Sequence, residues 1–206
     1  LRKVCGLSGD IGETAMKISA RKSFQGVFKI PGDKSVTHRA IMFNAAAEGE
    51  ATVTNALLGE DCLSTIRCMR ALGADIRLSE NTVCIRGASK FQNADCDCGN
   101  SGTTMRLLMG LVSGKNVRVT LTGDGSLSSR PMERVAAPLR LLGADIRTTE
   151  GKAPVEVYPA ALTGAVIDTK VASAQVKSAI LLAGLNAAGE TRDREPLKSR
   201  DHTERM

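Results

Sequence analysis

Three stretches of this chain are hydrophobic on every side: Ala40-Ile41-Met42-Phe43-Asn44-Ala45-Ala46-Ala47, Leu107-Leu108-Met109-Gly110-Leu111-Val112 and Ala179-Ile180-Leu181-Leu182-Ala183-Gly184-Leu185. A helix that is apolar all round belongs in an interior, so three buried helices are predicted. After the first two come short β-branched, alternating runs, Ala51-Thr52-Val53-Thr54 and Val117-Arg118-Val119-Thr120-Leu121, which predict strands. A second, amphipathic helix follows in each case. It closes on Leu72-Gly73-Ala74-Asp75-Ile76 and again on Leu142-Gly143-Ala144-Asp145-Ile146, seventy positions later. Gly73 and Gly143 suit the left-handed residue that ends a helix, and Pro131 suits a first helical turn.

The period near seventy implies repeated units before any one element is assigned. We place them at about residues 29–98, 99–168 and 169–206, behind a strand or crossover segment at 16–28. The third begins its helix at Ser173, and Asp201-His202-Thr203-Glu204 reads as the capping box of its second helix. Its closing Leu-Gly-Ala-Asp is due near position 212, so a truncated third repeat is expected, in a fragment of a longer protein. The third strand is unusual. Glu190-Thr191-Arg192-Asp193-Arg194-Glu195 carries charge where its counterparts alternate Val and Thr, so it is either an exposed edge or poorly formed. Residues 1–15 lack the apolar core of a secretory signal and are set aside as an N-terminal extension, which could precede a natural start at Met16.

Composition narrows the function classes. Of 206 residues, 24% are charged and 42% hydrophobic, which suits an ordinary globular core. Aromatics are only 2%, with no Trp and one Tyr, which argues against stacking on nucleic-acid bases. The formal charge of +6 favours anionic partners, but the basic residues are dispersed, as suits single cations aimed into a cleft rather than a nucleic-acid arm. No apolar run approaches the roughly 18 residues that span a bilayer, so no membrane partner is expected. Six cysteines stand at 5, 62, 68, 84, 96 and 98. The Cys-x-Cys at 96 and 98 lacks both the usual zinc spacing and a second pair, leaving only His38 and His202 to complete a site. We therefore expect reduced thiols acting as small hydrophobes in a cytoplasmic protein, with no disulfide, structural metal or cofactor.

Each buried helix starts at a polar segment rich in small residues: Pro31-Gly32-Asp33-Lys34-Ser35, Gly99-Asn100-Ser101-Gly102-Thr103-Thr104 and Ala172-Ser173-Ala174-Gln175. Packed about a pseudo-threefold axis, these N-termini would converge into an anion pocket. Taken singly, each serine is more simply an N-cap. The cations beside them favour the pocket. Lys34 precedes Ser35, Arg39 and Arg106 lie about one turn into their helices, and Lys177 holds a similar place in the third. Arg130 and Arg200 stand at the mouths of the second helices. An Arg in the first turn of a buried helix needs an anion to pair with it. For Arg106 and Lys177 we expect structural pairing, and for Lys34, Arg39 and Arg130 substrate contact. His38 invites a general-base reading, but a packed histidine is the simpler one.

Together, Pro31-Gly32-Asp33-Lys34-Ser35-Val36-Thr37-His38-Arg39, Gly99-Asn100-Ser101-Gly102-Thr103-Thr104-Met105-Arg106, Ser128-Ser129-Arg130-Pro131-Met132 and Ser199-Arg200-Asp201-His202-Thr203-Glu204-Arg205-Met206 resemble the signatures of the 5-enolpyruvylshikimate-3-phosphate synthase family. With the repeats, the resemblance covers roughly residues 20–206. It implies an α+β fold of βαβαββ repeats around buried helices, in the N-terminal domain of a two-domain enzyme whose substrates lie in the cleft between domains. The implied reaction passes the enolpyruvyl group of phosphoenolpyruvate to the 5-hydroxyl of shikimate 3-phosphate and releases phosphate, a step of aromatic amino acid biosynthesis.

Carried over residue by residue, the resemblance implies that Lys34 contacts both substrates and that Ser35 and Arg39 hold shikimate 3-phosphate. Gly102 would line the phosphoenolpyruvate site, where a side chain would crowd both that substrate and the inhibitor glyphosate. Arg130 would clamp the phosphoenolpyruvate phosphate. Ser173, Ala174 and Gln175 would hold shikimate 3-phosphate, with Gln175 reaching both ligands, and Arg200 would help bind its phosphate. Gly102 argues for glyphosate sensitivity, while the Ser-Ala-Gln at 173–175 marks a subgroup in which tolerance varies. The family's catalytic Asp and Glu come from the second domain, so no catalytic residue is assigned here, and the chain by itself is expected to show no turnover. The related transferase acting on UDP-N-acetylglucosamine shares the repeats. It uses a Lys-Asn pair and a loop Cys, whereas this chain has Lys34-Ser35 and no Cys between Gly99 and Met206. A phosphate-binding domain without catalysis is the other alternative.

Overall fold

The computed structural model describes Ser23, residues 25–88 and residues 90–206. The extension assigned to residues 1–15 lies outside the described residues, as does much of the 16–28 segment, whose described part has no regular structure. The chain divides between Ile30 and Pro31, and every helix and strand among the described residues belongs to the unit Pro31–Met206.

The first repeat runs α1 (Lys34–Ala46), β1 (Glu50–Val53), α2 (Glu60–Ala71), β2 (Asp75–Ser79) and β3 (Thr82–Arg86). The second is β4 (Ala94–Asp97), α3 (Gly102–Val112), β5 (Val119–Thr122), the single turn α4 (Gly125–Ser128), α5 (Glu133–Leu141), β6 (Asp145–Thr149) and β7 (Lys152–Tyr158). After the short β8 (Leu162–Thr163), the third is β9 (Val166–Asp168), α6 (Ala174–Gly184), β10 (Ala187–Ala188), β11 (Arg192–Arg194) and α7 (His202–Arg205). The second repeat is a full βαβαββ string with α4 added, and the third departs from it in placing two short strands, β10 and β11, between α6 and α7. The α+β architecture read from the sequence is the one observed.

Period-two burial gives each sheet an inner face. In the β1-β3-β2 sheet, Val53 faces Val83 and Ile76 faces Ile85 across antiparallel pairs. In β4-β5-β7-β6, Val119 and Ile146 flank Val157 from either side, and Leu121 opposes Val155. Two parallel pairs, β8-β10 and β9-β11, are the remaining sheets among the described residues. The charged run thus forms a short strand in which Arg192 and Arg194 turn outward to Glu190 and Asp168, at 2.7 and 3.8 Å. Asp193 sits between them, opposite Ile167, and burial raises its carboxyl pKa.

Helix ends follow the sequence closely. Gly73 and Gly143 have φ of 110° and 93°. In both places the glycine N–H and the next one bond back to the last turn: Gly73 to Arg70 and Ala74 to Met69, then Gly143 to Arg140 and Ala144 to Leu139. Pro131 departs from expectation. The amides of Met132 and Glu133 both donate to the Gly151 carbonyl, which holds the approach to α5 outside the helix, so α5 starts at Glu133 rather than around Pro131.

The predicted helices α1, α3 and α6 fill the centre, and α3 packs closely on α6. Cys62, Cys68, Cys96 and Cys98 are buried free thiols in the same core, as small hydrophobes would be. A Cβ on Gly110 would lie 2.1 Å from the Ala179 carbonyl oxygen, so the two backbones meet at a point only glycine permits. Glycine to alanine in an open helix usually stabilises by up to about 1 kcal/mol. Here the clash reverses the sign, and we expect Gly110→Ala to destabilise by about 1–3 kcal/mol in urea unfolding, with little change in helix content by circular dichroism.

Candidate functional site

The three helix N-termini are capped differently, and the differences free particular groups. On α1 the Asp33 carboxylate accepts from the Val36 amide at 2.8 Å, which places Ser35 inside the first turn with its hydroxyl uncommitted. Ser101 caps α3, accepting from the Thr104 amide at 3.2 Å. Ser173 occupies the cap position of α6 without making a side-chain cap bond. Its amide donates instead to Glu195 Oε1, at 3.1 Å. Of the three serines weighed as caps, only Ser101 acts as one.

A cavity of about 560 Å³ opens where these termini meet. Ser35 and Arg39 of α1, Thr103 of α3, Ser173, Ala174 and Gln175 at the start of α6, and Arg200 line it. The convergence inferred from the repeats is therefore present. Arg39 is almost fully buried and meets only neutral acceptors: Ser35 O at 3.0 Å, Ser178 Oγ at 2.6 Å and Thr203 Oγ1 at 2.7 Å. Burial lowers its pKa, with Glu204 and Asp33 acting against the shift. Lys198 and Arg200 also line the cavity and make no side-chain hydrogen bond or ion pair among the described residues. The lining is cationic with little to offset it.

Lys177 behaves otherwise. Its ammonium meets Glu195 at 2.9 Å and Glu204 at 2.7 Å, the structural pairing expected for it. Burial opposes the charge, but bonds to both carboxylates outweigh it and raise the pKa. Glu195 is held below its ordinary range, since Lys177 and Ser199 together overcome its burial. The capping box at Asp201 does not form: Asp201 makes no side-chain cap bond, and Glu204, which would reach back to the Asp201 amide, pairs with Lys177 instead.

The remaining assigned residues lie outside this cavity. Lys34 pairs with Asp61 at 2.9 Å. Arg130 is held by the Asn100 side chain and by Ser126 Oγ at 3.1 Å, and Asn100 in turn donates to Asp124 at 2.8 Å. Gly102 lies beside this group. A Cβ there would stand 2.7 Å from Arg106 Nη1 and 3.4 Å from Arg130 Nη1. Gln175 connects the two clusters, accepting from Arg106 at 2.9 Å and donating to Thr103 Oγ1 at 2.9 Å.

Arg106 departs from expectation and His38 meets it. Arg106 has no carboxylate partner among the described residues, so the structural ion pair expected for it is replaced by an amide contact. Burial, with repulsion from Arg134 and Arg130, pushes its pKa down to about 10. His38 is the packed histidine: its Nδ1 lies 2.6 Å from Thr65 Oγ1, and burial lowers its pKa to about 4 despite Asp61. It is uncharged at neutral pH. Sequence reasoning missed Thr103 and Lys198 as lining residues, and Ser178 and Thr203 as the groups that fix Arg39. Thr103 and Thr203 sit within the signature motifs. Ser178 lies in an otherwise apolar helix, where nothing marked it.

Comparison with known proteins bears on this site. A family profile described as EPSP synthase (3-phosphoshikimate 1-carboxyvinyltransferase) matches residues 18–206. A 3-phosphoshikimate 1-carboxyvinyltransferase of Thermoanaerobacter sp. strain X514 is 47% identical over 195 residues, 93% of this chain and 46% of that protein. One of Desulfitobacterium hafniense strain DCB-2 is 50% identical over 198 residues, 93% of this chain and 45% of its own. Among solved structures, EPSP synthase from Acinetobacter baumannii superposes with a TM-score of 0.83 at 48% identity, covering 90% of this chain and 44% of that one. The chain thus spans less than half the length of these relatives.

The buried charges lead to two expected outcomes. A histidine whose pKa is lowered on folding takes up protons more readily when unfolded, so its contribution is fully present above about pH 6.5 and is lost as pH falls toward about 4. Unfolding free energy should fall across that window by up to about 3 kcal/mol more in the wild type than in His38→Gln. Lys177→Met leaves Glu195 buried without its cation. It should cost about 3 kcal/mol in denaturant unfolding, and the Ser173 amide should exchange faster with solvent.

Proposed function

The chain belongs to the EPSP synthase family, and from that premise we propose that it forms the shikimate 3-phosphate side of the site where phosphoenolpyruvate gives up its enolpyruvyl group. The observation that carries this reading is the cavity itself, where buried Arg39 is joined at three helix N-termini by Lys198 and Arg200, which have no partner among the described residues. A phosphate monoester that also bears a carboxylate fits such a lining, because Arg offers paired donors to either group.

In this reading Arg39, Arg200, Ser35 and Ser173 hold the shikimate phosphate and carboxylate, and Ala174 keeps the α6 terminus open beside them. Gln175 reaches from this cavity toward the second cluster. There Arg130 clamps the phosphoenolpyruvate phosphate, Lys34 contacts both substrates after exchanging its bond to Asp61, and Gly102 leaves space for phosphoenolpyruvate. Glyphosate, an anion of similar shape, would compete at that second cluster.

The 5-hydroxyl of shikimate 3-phosphate gives its proton to a base as its oxygen bonds to C2 of phosphoenolpyruvate, and an acid protonates the methylene carbon to a methyl. The tetrahedral adduct then loses one methyl proton and expels phosphate, which leaves the enol ether. Phosphoenolpyruvate carries its own leaving group, so the transfer calls for binding, orientation and proton transfer rather than a cofactor. The groups that move protons belong to a further domain facing this one, present in the same or a partner chain. A cytoplasmic setting fits the free thiols. No helix among the described residues is long and apolar enough to cross a membrane.

Titration of the 206-residue chain with shikimate 3-phosphate, followed by proton–nitrogen NMR, should shift the resonances of Ser35, Arg39, Ser173 and Gln175. Shikimate without its phosphate should bind at least about tenfold more weakly, since it forfeits the charge-assisted bonds. Phosphate release should require an added second-half polypeptide. A well-dispersed spectrum that ignores shikimate 3-phosphate, or answers both ligands equally, would overturn the assignment.

A further inference from the structure

Among the described residues, Arg106 is the buried cation that its surroundings satisfy least. Only 6% of its surface is exposed, no carboxylate among the described residues pairs with it, and its Nε has no hydrogen-bond partner. The charges nearest it, on Arg130 and Arg134, repel it. A cation kept for stability would be paired as Lys177 is, with two carboxylates. Its side-chain hydrogen bond runs from Nη1 to Gln175 Oε1, at 2.9 Å.

That bond has a direction. Guanidinium carries donors only, so the Gln175 amide must turn its oxygen toward Arg106. The NH2 end then faces Thr103 Oγ1, at 2.9 Å. Thr103 cannot make this choice itself, since a hydroxyl both donates and accepts and would satisfy either end of the amide. We propose that Arg106 is a positioning residue: it locks the Gln175 amide with oxygen inward and so presents its second N–H to the cavity as a hydrogen-bond donor.

Gly102 belongs to the same device. A Cβ at 2.7 Å from Arg106 Nη1 would push the guanidinium off its seat, so the absence of a side chain at 102 keeps Arg106 against Gln175. The functional part of this proposal rests on the shikimate 3-phosphate reading. The amide orientation does not, and the two are measured separately.

The first measurement follows the Gln175 side-chain NH2 pair by NMR in the ligand-free chain. Wild type and Arg106→Lys, which retains a donor, should give one sharp, displaced pair. In Arg106→Met the pair should move toward free-amide positions and exchange about fivefold faster with solvent. In Thr103→Val the pair should lose the displacement that the Oγ1 bond supplies yet remain a single sharp pair, because Arg106 still holds the amide oxygen. A pair that doubles or broadens in Thr103→Val, or that keeps its displacement and slow exchange in Arg106→Met, overturns the proposal. If Arg106→Met does not fold, the Thr103→Val and Arg106→Lys results decide it. The second measurement is a double-mutant cycle on shikimate 3-phosphate affinity. Arg106→Met should weaken binding about tenfold when Gln175 is present and less than about twofold in the Q175A background. Equal weakening in both backgrounds would mean that Arg106 meets the ligand directly. Wild-type failure to bind would sink the functional reading and leave the amide measurement to decide the positioning role.

Discussion

Burying positive charge is the constraint on which the rest of this structure turns. A charge removed from water destabilises a fold unless something opposes it nearby, and the three buried cations among the described residues are treated in three ways. Lys177 is fully compensated, with a carboxylate on each side. Arg39 is solvated by hydroxyls and one carbonyl, which satisfy its donors without cancelling its charge. Arg106 is satisfied least, by a single amide oxygen. The helix N-termini beside them add positive potential of their own. Uncompensated charge thus accumulates in one region, around the cavity, while other surface cations such as Arg77, Arg86 and Arg118 have acidic partners.

Such a region holds its shape only on a stiff scaffold. The contact of α3 with α6 through Gly110 leaves no room for adjustment. A chain of short hydrogen bonds runs from His38 to Thr65, on to Thr104 and then Ser101, joining α1, α2 and the start of α3. Burial keeps His38 neutral, so this chain adds no charge of its own at neutral pH. Glu195 ties the third repeat in by accepting from the Ser173 amide and the Ser199 hydroxyl while it neutralises Lys177. One carboxylate therefore compensates a cation and orders two segments that line the cavity. The unpaired cations are kept in place by groups that do not quench them.

The fold was legible because its signals repeat. Apolar stretches around Ile41, Leu108 and Ile180 each marked a buried helix, and the two Leu-Gly-Ala-Asp copies marked their helix ends to the residue. Pro131 misled because its local preference gave way to a long-range bond to Gly151. The capping box at Asp201 failed for the same reason, since Lys177 offered Glu204 a stronger partner than a backbone amide. Cavity residues at helix starts, Ser35, Arg39 and Ser173 to Gln175, were visible because cations beside caps are unusual in sequence. The separation into two clusters was not visible. It depends on the hydrogen bonds of Gln175 and Asn100, and amide side chains leave no pattern along a chain that says which neighbour they will meet.

Under the proposed reading, Gln175 would also let one face serve two anions without confusing them. Fixed cations attract any phosphate or carboxylate, and charge alone discriminates poorly between similar anions. A directional donor placed between Arg39 on one side and Arg130 on the other adds geometry to that attraction, because its bond is strong only along one line. The same cations explain why chemistry needs a second wall. Proton transfer demands groups that both give and accept near neutral pH, whereas the guanidinium groups of Arg39, Arg106 and Arg130 carry hydrogen-bond donors only. The one buried imidazole nearby is committed to Thr65 and is pushed too low to serve. A face built in this way suits the binding and orienting of anions, and the proposed reaction needs its proton chemistry from groups other than these.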